Sequence, residues 1–470
     1  MRYIVIQFIL NQDLITIENY QADATLLDYL RLEAELKGTK EGCASGDCGV
    51  CTVVIASLDE TTKTLNYKSI NSCICLLGSV HGKQVITVEG LKGKDHSLHP
   101  VQQAMVEKHA SQCGFCTPGF VMSIFSMSKQ KEKPTREKII ESIDGNLCRC
   151  TGYRPIVDAA EVALRDKRKD HFDTDSDQII SQLNEIKRSP ESSFYRPETL
   201  QELATRIQQH PDARLLAGGT DLALEITQQL QAFDNVIYIG NVSELKKLEQ
   251  TADELIIGAA VTYQECATLL SETYPALKTH LERLGSLQIR NVGTLGGNIA
   301  NASPIGDMPP VLLALDSHVN LQKGDRTRLV SMEDFFTGYK QTVMETGEFI
   351  RDIRIPLPKA NQQFNVYKIS KRYADDISAV CGAFNVELEQ HIIKSVRIAF
   401  GGMAATVARA HHCEKALSNQ PLTRDSLDKA KQEILGDFNP LDDVRASRDY
   451  RLLMAQNLLE RLFIELGAAL

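Results

Sequence analysis

Gln112-Cys113-Gly114-Phe115-Cys116-Thr117-Pro118-Gly119 and, one helix further on, Gly145-Asn146-Leu147-Cys148-Arg149-Cys150-Thr151-Gly152-Tyr153-Arg154-Pro155 decide how this chain is read. They carry a C-x2-C pair and a C-x-C pair, each trailed by a proline suited to the first turn of a helix. Proline is tolerated there because its missing N–H would have had no helical partner. Both thiol pairs are therefore expected at helix N-termini, where free N–H groups and the helix dipole favour negative charge. Four thiolates around iron and sulfide are such a charge, which reads as a [2Fe–2S] site. A structural zinc site competes with it, since C-x2-C commonly opens one. The C-x-C pair fits zinc less well, because zinc ligands usually pair about two to four residues apart.

A second thiol set lies upstream in Glu41-Gly42-Cys43-Ala44-Ser45-Gly46-Asp47-Cys48-Gly49-Val50-Cys51. The spacing C-x4-C-x2-C is that of plant-type ferredoxins, with a more distant fourth cysteine expected. Gly42, Gly46 and Gly49 suit a loop that must take positive φ and bring backbone N–H groups close to sulfur. Cys73 and Cys75 both qualify as the fourth ligand, and a zinc loop is again the plainer alternative.

The composition sets the frame for these sites. A chain of 470 residues, 43% hydrophobic and 24% charged, suggests a globular protein of about three domains. A formal net charge of -9 argues against a general nucleic-acid binder, which needs a basic face. The apolar opening from Met1 to Leu10 stops at Asn11-Gln12-Asp13 without a cleavage site, and no run is long enough to span a bilayer. A cytoplasmic protein is expected. In that compartment disulfides are rare, and twelve cysteines with eight in two compact sets point to metal.

Around the thiols the pattern alternates between strand and helix. Tyr3 to Leu10 and Leu14 to Ile17 read as a hairpin, and Thr25 as the N-cap of a helix carrying Leu26, Leu27, Leu30 and Leu32. Ser97 to Ala110, Pro118 to Ser128, Thr135 to Ile143 and Pro155 to Leu164 have helical apolar spacing. His99 and His109 fit packed or surface roles better than ligand roles. The charge-dense run around Arg165 to Asp177 reads as a solvated connector. Further on, Ala213 to Leu222 and Gly293 to Asn301 each bring a strand into a Gly-Gly turn. Neither is G-x-G-x-x-G, so a doubly wound dinucleotide fold is not indicated. Such turns could present N–H groups to a pyrophosphate or simply join strands. Gln363 to Ser370, Ala379 to Leu388 and Ile392 to Phe400 read as a meander, followed by helices over Thr406 to Leu417 and Ser447 to Leu466. Cys266, Cys381 and Cys413 stand singly and suit the core.

Taken together, the plant-type loop and the motifs Q-C-G-F-C-T-P-G and G-N-L-C-R-C-T-G-Y-R-P resemble the iron–sulfur part of the xanthine dehydrogenase family of molybdenum hydroxylases. The resemblance extends over essentially the whole chain and implies an α+β multidomain fold. Residues 1–90 would form a β-grasp plant-type ferredoxin domain and 91–165 a four-helix [2Fe–2S] bundle. A linker would span 166–190, a vanillyl-alcohol-oxidase-like FAD-binding domain 191–360, and a C-terminal α+β flavoprotein subdomain 361–470. By the same resemblance the cluster ligands are Cys43, Cys48, Cys51 and Cys73, then Cys113, Cys116, Cys148 and Cys150, which leaves Cys75 as a buried apolar residue. FAD contacts would come from Leu215, Leu216, Ala217, Gly218, Gly219, Thr220, Asp221 and Leu222, and from Leu284, Thr294, Asp307, Ile350 and Lys368. The form Ala-Gly-Gly-Thr-Asp departs from other members' first loop without threatening FAD binding. Without the resemblance, Asp307 could as well cap local backbone. The loop Lys371 to Asp376 matches the segment that flanks the flavin and affects NAD access; its plain alternative is an exposed hairpin connection.

The functional expectation follows from that family. Two [2Fe–2S] clusters and FAD would form an electron path from a molybdenum cofactor on a separate large subunit to NAD, in oxidation of hypoxanthine and xanthine to urate. Ending at Leu470, the chain is expected to be the small subunit in a dimer of heterodimers. It would hold no catalytic residue for substrate hydroxylation, and would bind neither nucleic acid nor membrane. Two rivals stand beside this reading: the same electron path serving an aldehyde or heteroaromatic hydroxylase, and a non-redox zinc scaffold.

Overall fold

The computed structural model describes residues 5–59, 61–93, 95–130, 134–166, 168–186 and 193–468. Tyr3 and Ile4 of the expected first strand, Lys167 and 187–190 of the expected linker, and the first two positions of the expected FAD domain lie outside the described residues. The fold is multidomain α+β. It divides into two compact units, the first made of Met1–Pro197, Asp212–Asn241 and Ser286–Gly293, the second of Glu198–Pro211, Val242–Gly285 and Thr294–Leu470.

The first unit begins with a five-stranded sheet in the spatial order Asp13–Glu18, Val5–Leu10, Gln84–Ile86, Thr52–Leu58, Leu65–Asn71. Val5–Leu10 and Gln84–Ile86 pair parallel; every other neighbour is antiparallel. Asn11 turns the first hairpin at φ 56°, a conformation Asn accepts more readily than most residues. Ile6, Phe8, Val53 and Val85 face a core closed by Leu26 and Leu30, on a short helix that Thr25 caps by accepting the N–H of Asp28. Four helices follow, Pro100–Glu107, Thr117–Ser128, Arg136–Ile143 and Arg154–Ala163. They pack around Phe120, Met122, Ile124 and Phe125 in a core that continues into the sheet through Val54 and Ile86.

The expected solvated connector is folded instead. His171–Thr174 and Ser176–Glu185 are helical, with Phe172 in the four-helix core and Ile179 and Leu183 against Ile9. Spaced apolar side chains among the charges supply enough burial to dock it. His99 caps Pro100–Glu107 and pairs with Asp170 at 2.8 Å, a packed role. The unit is completed by a parallel three-stranded sheet, Phe194–Tyr195, Val236–Tyr238 and Arg214–Leu216, and by the short segment Ser286–Gly293.

Besides the small pair Phe336–Gly338 and Gln341–Thr342, the second unit holds two five-stranded sheets. One is antiparallel, in the order Arg326–Ser331, His318–Lys323, Phe349–Pro356, Glu254–Gly258, Leu248–Gln250. The other is the expected meander, Gln362–Ile369, Val380–Glu389 and Ile392–Gly401, extended by Ala408–Arg409 and Gln420–Pro421. The C-terminal helices are His411–Leu417, Arg424–Asp437 and Arg448–Glu465. The expected helix from Thr406 begins only at His411, because Ala408–Arg409 is drawn into the sheet. Arg424–Asp437 escaped the sequence reading. Thr423 caps it, and Leu427, Ala430 and Ile434 form a narrow buried stripe on an otherwise polar helix. Among the described residues no helix is long and apolar enough to cross a membrane.

Candidate iron–sulfur and flavin sites

The first thiol loop has no regular structure between Thr39 and Val50, which leaves its backbone free to wrap. Gly46 and Gly49 take φ of +82° and +67°, as a wrapping loop requires. Gly42 has an ordinary φ and is needed for space, since a Cβ there would lie 2.9 Å from Cys48 Sγ. Cys51 and Cys73 are 1% and 3% exposed, and their sulfurs lie 3.3 Å apart. Cys43 and Cys48 form a second close pair: the hydrogen bond from Cys48, helped by Ser45, draws the Cys43 thiol down to about 4 while Cys48 is pushed up. In the inner pair Cys73 likewise lowers Cys51 and is itself raised. Cys75 stands apart, with its sulfur 3.4 Å from Ser79 Oγ.

The second thiol set is arranged in the same way. Cys116 contacts Cys148, and Cys113 contacts Cys150. Burial, then the bond to Cys148, pushes the Cys116 thiol up to about 12. Burial would raise Cys148 too, but the hydroxyl and N–H of Thr151, at 3.1 and 3.5 Å from its sulfur, outweigh it and hold the thiol low. Cys116 immediately precedes the helix Thr117–Ser128, with Pro118 in its first turn, as expected. The C-x-C pair differs: Tyr153, at φ 67°, precedes the helix Arg154–Ala163, so Cys150 stops short of it. There Thr151, not a helix terminus, supplies the donors to sulfur.

The two-by-two pairing of the sulfurs suits a rhomb of two irons. Two sulfurs in contact cannot both ionise unless positive charge neutralises them, so one of each pair keeps the proton. A [2Fe–2S] rhomb brings two irons, each taking two thiolates. A structural zinc ion would gather four ligands at one point. The residues fit two clusters.

The two thiol loops touch. The N–H of Leu147 donates to the Cys48 carbonyl at 2.9 Å, and the Asn146 amide donates to Gly49 O at 2.8 Å. A Cβ on Gly119 would fall 2.3 Å from Gly49 O, so the helix behind Cys116 lies directly on the first loop.

Expected FAD residues occur in both units. In the first, Arg214–Leu216 is a strand, Ala217 to Asp221 its turn, and Leu222–Thr227 a helix. Gly219 has φ +77°, and a Cβ on Gly218 would strike Val292 O at 1.9 Å. A Cβ on Gly219 would lie 2.9 Å from the carbonyl of Ile74, the residue after Cys73. The turn therefore sits against the first thiol set.

In the second unit, Asp307 does not cap local backbone. Its carboxylate accepts from Lys368 Nζ at 2.8 Å and Ser378 Oγ at 2.5 Å, while its carbonyl faces His280 Nε2 at 3.1 Å. Thr294 caps Leu295–Ala300 by accepting the N–H of Gly297. Leu284 and Ile350 are buried. Asn298 Oδ1, on the same glycine-rich helix, is buried without a hydrogen-bond partner among the described residues, an acceptor open to a ligand donor. The Lys371 to Asp376 loop is largely exposed, as a hairpin connection would be, yet Arg283 binds Tyr373 O at 2.9 Å and stacks on its ring.

Thr151, Asn146 and Asn298 lay inside quoted motifs, but no spacing rule marked them. Nothing in the sequence marked Gln288, described below.

Four known domain families match successive stretches of the chain. Residues 8–78 match the 2Fe-2S iron-sulfur cluster binding domain family, and residues 87–161 the [2Fe-2S] binding domain family. Residues 188–358 match the FAD binding domain in molybdopterin dehydrogenase, and residues 365–466 the CO dehydrogenase flavoprotein C-terminal domain. The chain is 33% identical to the xanthine dehydrogenase of Emericella nidulans, over 89% of this chain and 35% of that protein. It is 31% identical to the xanthine dehydrogenase/oxidase of Gallus gallus, over 92% of this chain and 38% of that protein. It thus spans a little over a third of the length of these relatives. Among solved structures, a carbon monoxide dehydrogenase chain from Hydrogenophaga pseudoflava aligns with a TM-score of 0.55 and 26% identity, covering 58% of this chain and 96% of that one. A chain of quinoline 2-oxidoreductase from Pseudomonas putida 86 aligns with a TM-score of 0.54 and 27% identity, covering 59% and 98%.

Proposed function

Because this chain belongs to the molybdenum hydroxylase family, as its iron–sulfur and FAD-binding part, we propose that it is the small, electron-transferring subunit of a cytoplasmic xanthine dehydrogenase. In this reading it carries electrons from a molybdenum cofactor on a large partner subunit to NAD, as hypoxanthine and xanthine are oxidised to urate. Two such pairs would form a dimer of heterodimers. When bound, the clusters move electrons singly, and FAD converts them to hydride transfer.

The chain's own part is placement. Cys113, Cys116, Cys148 and Cys150 hold the cluster proposed to face the partner, where Cys113 and Cys150 are exposed. Cys43, Cys48, Cys51 and Cys73 hold the second, and Gly218-Gly219 approaches it at Ile74 to present FAD. The observation that carries the reading is the direct contact between the thiol loops, Leu147 N–H to Cys48 O at 2.9 Å. Scaffolding would not need it; electron transfer does, because tunnelling falls off exponentially with distance.

The test is to purify the native complex and follow NADH formation driven by xanthine. Purine turnover with NAD supports the reading, and a partner without molybdenum refutes it. Likeness to quinoline 2-oxidoreductase favours one second reading, a hydroxylase of heteroaromatic or aldehyde substrates. Faster turnover of those substrates would select it.

A further inference from the structure

Ser286–Gly293 belongs by sequence to the expected flavin domain, yet it folds into the iron–sulfur unit. Gln288, at its centre, is 0% exposed. Its Nε2 donates to Asn146 Oδ1 and Ser123 Oγ, each at 3.1 Å, and reaches Thr52 Oγ1 at 3.4 Å. Those acceptors come from three thiol-bearing segments. Thr52 follows Cys51, Ser123 lies in the helix behind Cys116, and Asn146 stands two residues before Cys148.

Asn146 is the residue through which the two loops are held. Its Nδ2 donates to Gly49 O at 2.8 Å and Thr52 Oγ1 at 3.2 Å, while its Oδ1 accepts Ser123 Oγ at 2.6 Å. The Gly49 carbonyl can only accept, so it holds Nδ2 on its side and leaves Oδ1 facing the Nε2 of Gln288, which anchors it there. Gly145 keeps the seat open: a Cβ there would fall 2.2 Å from Ser286 Cβ and 2.5 Å from Gln288 Oε1. The glycine that opens the C-x-C motif thus makes room for this segment.

We propose that Gln288 is a positioning residue that fixes the separation and orientation of the two clusters by locking the Asn146 amide between their loops. None of its hydrogen bonds goes to an expected cluster ligand; it acts through Asn146, Ser123 and Thr52. The inference rests on the proposed electron-transfer role. On its donor side the network is connected through three bonds, while Gln288 Oε1 is buried without a partner among the described residues. Hydrogen bonds converging on one amide specify one geometry where apolar packing would allow several.

The test uses the purified full-length protein with its clusters, reduced by dithionite, so that no substrate or partner enters. The readouts are iron and labile sulfide content, thermal stability, and the magnetic splitting between the two reduced clusters, which depends on their distance and relative orientation. Gln288→Met keeps the side-chain length and removes all three hydrogen bonds. Arg290→Met is the control: Arg290 is buried in the same segment but bonds Glu141 at 2.9 Å, away from Asn146. Gln288→Met at wild-type iron content is expected to change the splitting and slow electron exchange between clusters severalfold, whereas Arg290→Met lowers stability alone. Unchanged splitting in Gln288→Met, or an equal change in Arg290→Met, overturns the proposal. Should Gln288→Met fail to fold, Ser123→Ala decides: a changed splitting supports the assignment and an unchanged one overturns it. Wild-type protein devoid of iron and sulfide would instead refute the proposed function, a separate outcome.

Discussion

The carbonyl of Cys48 and the backbone N–H of Leu147 meet at 2.9 Å, joining a residue of one thiol loop to the neighbour of Cys148 in the other. The contact is possible because both backbones are stripped of side-chain bulk there. A Cβ on Gly49 would lie 2.2 Å from Gly145 O, and one on Gly119 would lie 2.3 Å from Gly49 O.

Gly119→Ala follows directly. A methyl group pressed on a carbonyl cannot be absorbed by a rotamer change, so the loops must separate. The variant is expected to lose about 1–3 kcal/mol, the usual cost of overpacking. Chemical denaturation of the loaded protein measures it. A stability equal to wild type would mean the helix and loop are not in contact in solution.

Cys73 and Cys75 make opposite predictions. Cys73 meets Cys51 sulfur to sulfur, whereas Cys75 is engaged with Ser79. Cys73→Ser is expected to lose the N-terminal cluster and about half the iron, since each cluster needs four ligands. Cys75→Ser should keep the full complement. Iron analysis and visible absorbance distinguish them, and the reverse result would reassign the ligand.

Lys368 and Asp307 form an ion pair with side chains 2% and 10% exposed. Lys368→Met leaves the carboxylate buried beside Ser378 alone and is expected to cost about 3–5 kcal/mol. Removing the charge as well, in Asp307→Asn with Lys368→Met, should recover part of that loss. Urea titration of the two variants checks the order. FAD content measured in the same samples tests the expected cofactor role of both residues.

Acid should loosen the segment around His171. Burial lowers the His171 pKa, and burial would raise that of Asp170, but His99 and Lys129 overcome it and hold the Asp170 carboxyl well below the usual range. Both folded pKa values are depressed, so both contributions are present above the unfolded values and are lost as pH falls. The His171 contribution starts to fade below about 6.5, that of Asp170 below about 3.9. Wild type should therefore lose stability from near-neutral pH downward. Because the Asp170 carboxylate raises the His171 pKa, the stability gap to Asp170→Asn should widen somewhat through the histidine range and close only below about pH 4. Denaturation midpoints across that range test the sign; a gap that keeps widening below about pH 4 contradicts it.

Features that depend on local chemistry were legible from the residues alone. C-x4-C-x2-C, C-x2-C and C-x-C announced the thiol sets, and Thr25 the cap of the helix that follows it, because spacing and capping preference act over a few residues. Period-two alternation likewise marked the strands of the C-terminal meander. Tertiary structure alone decided which distant groups meet. The pairing of Cys51 with Cys73, the docking of Phe172 from a run that looks like solvated linker, and the seat of Gln288 between two thiol loops all depend on burial. A buried polar side chain is indistinguishable in sequence from an exposed one until the chain closes over it and leaves its amide only protein partners.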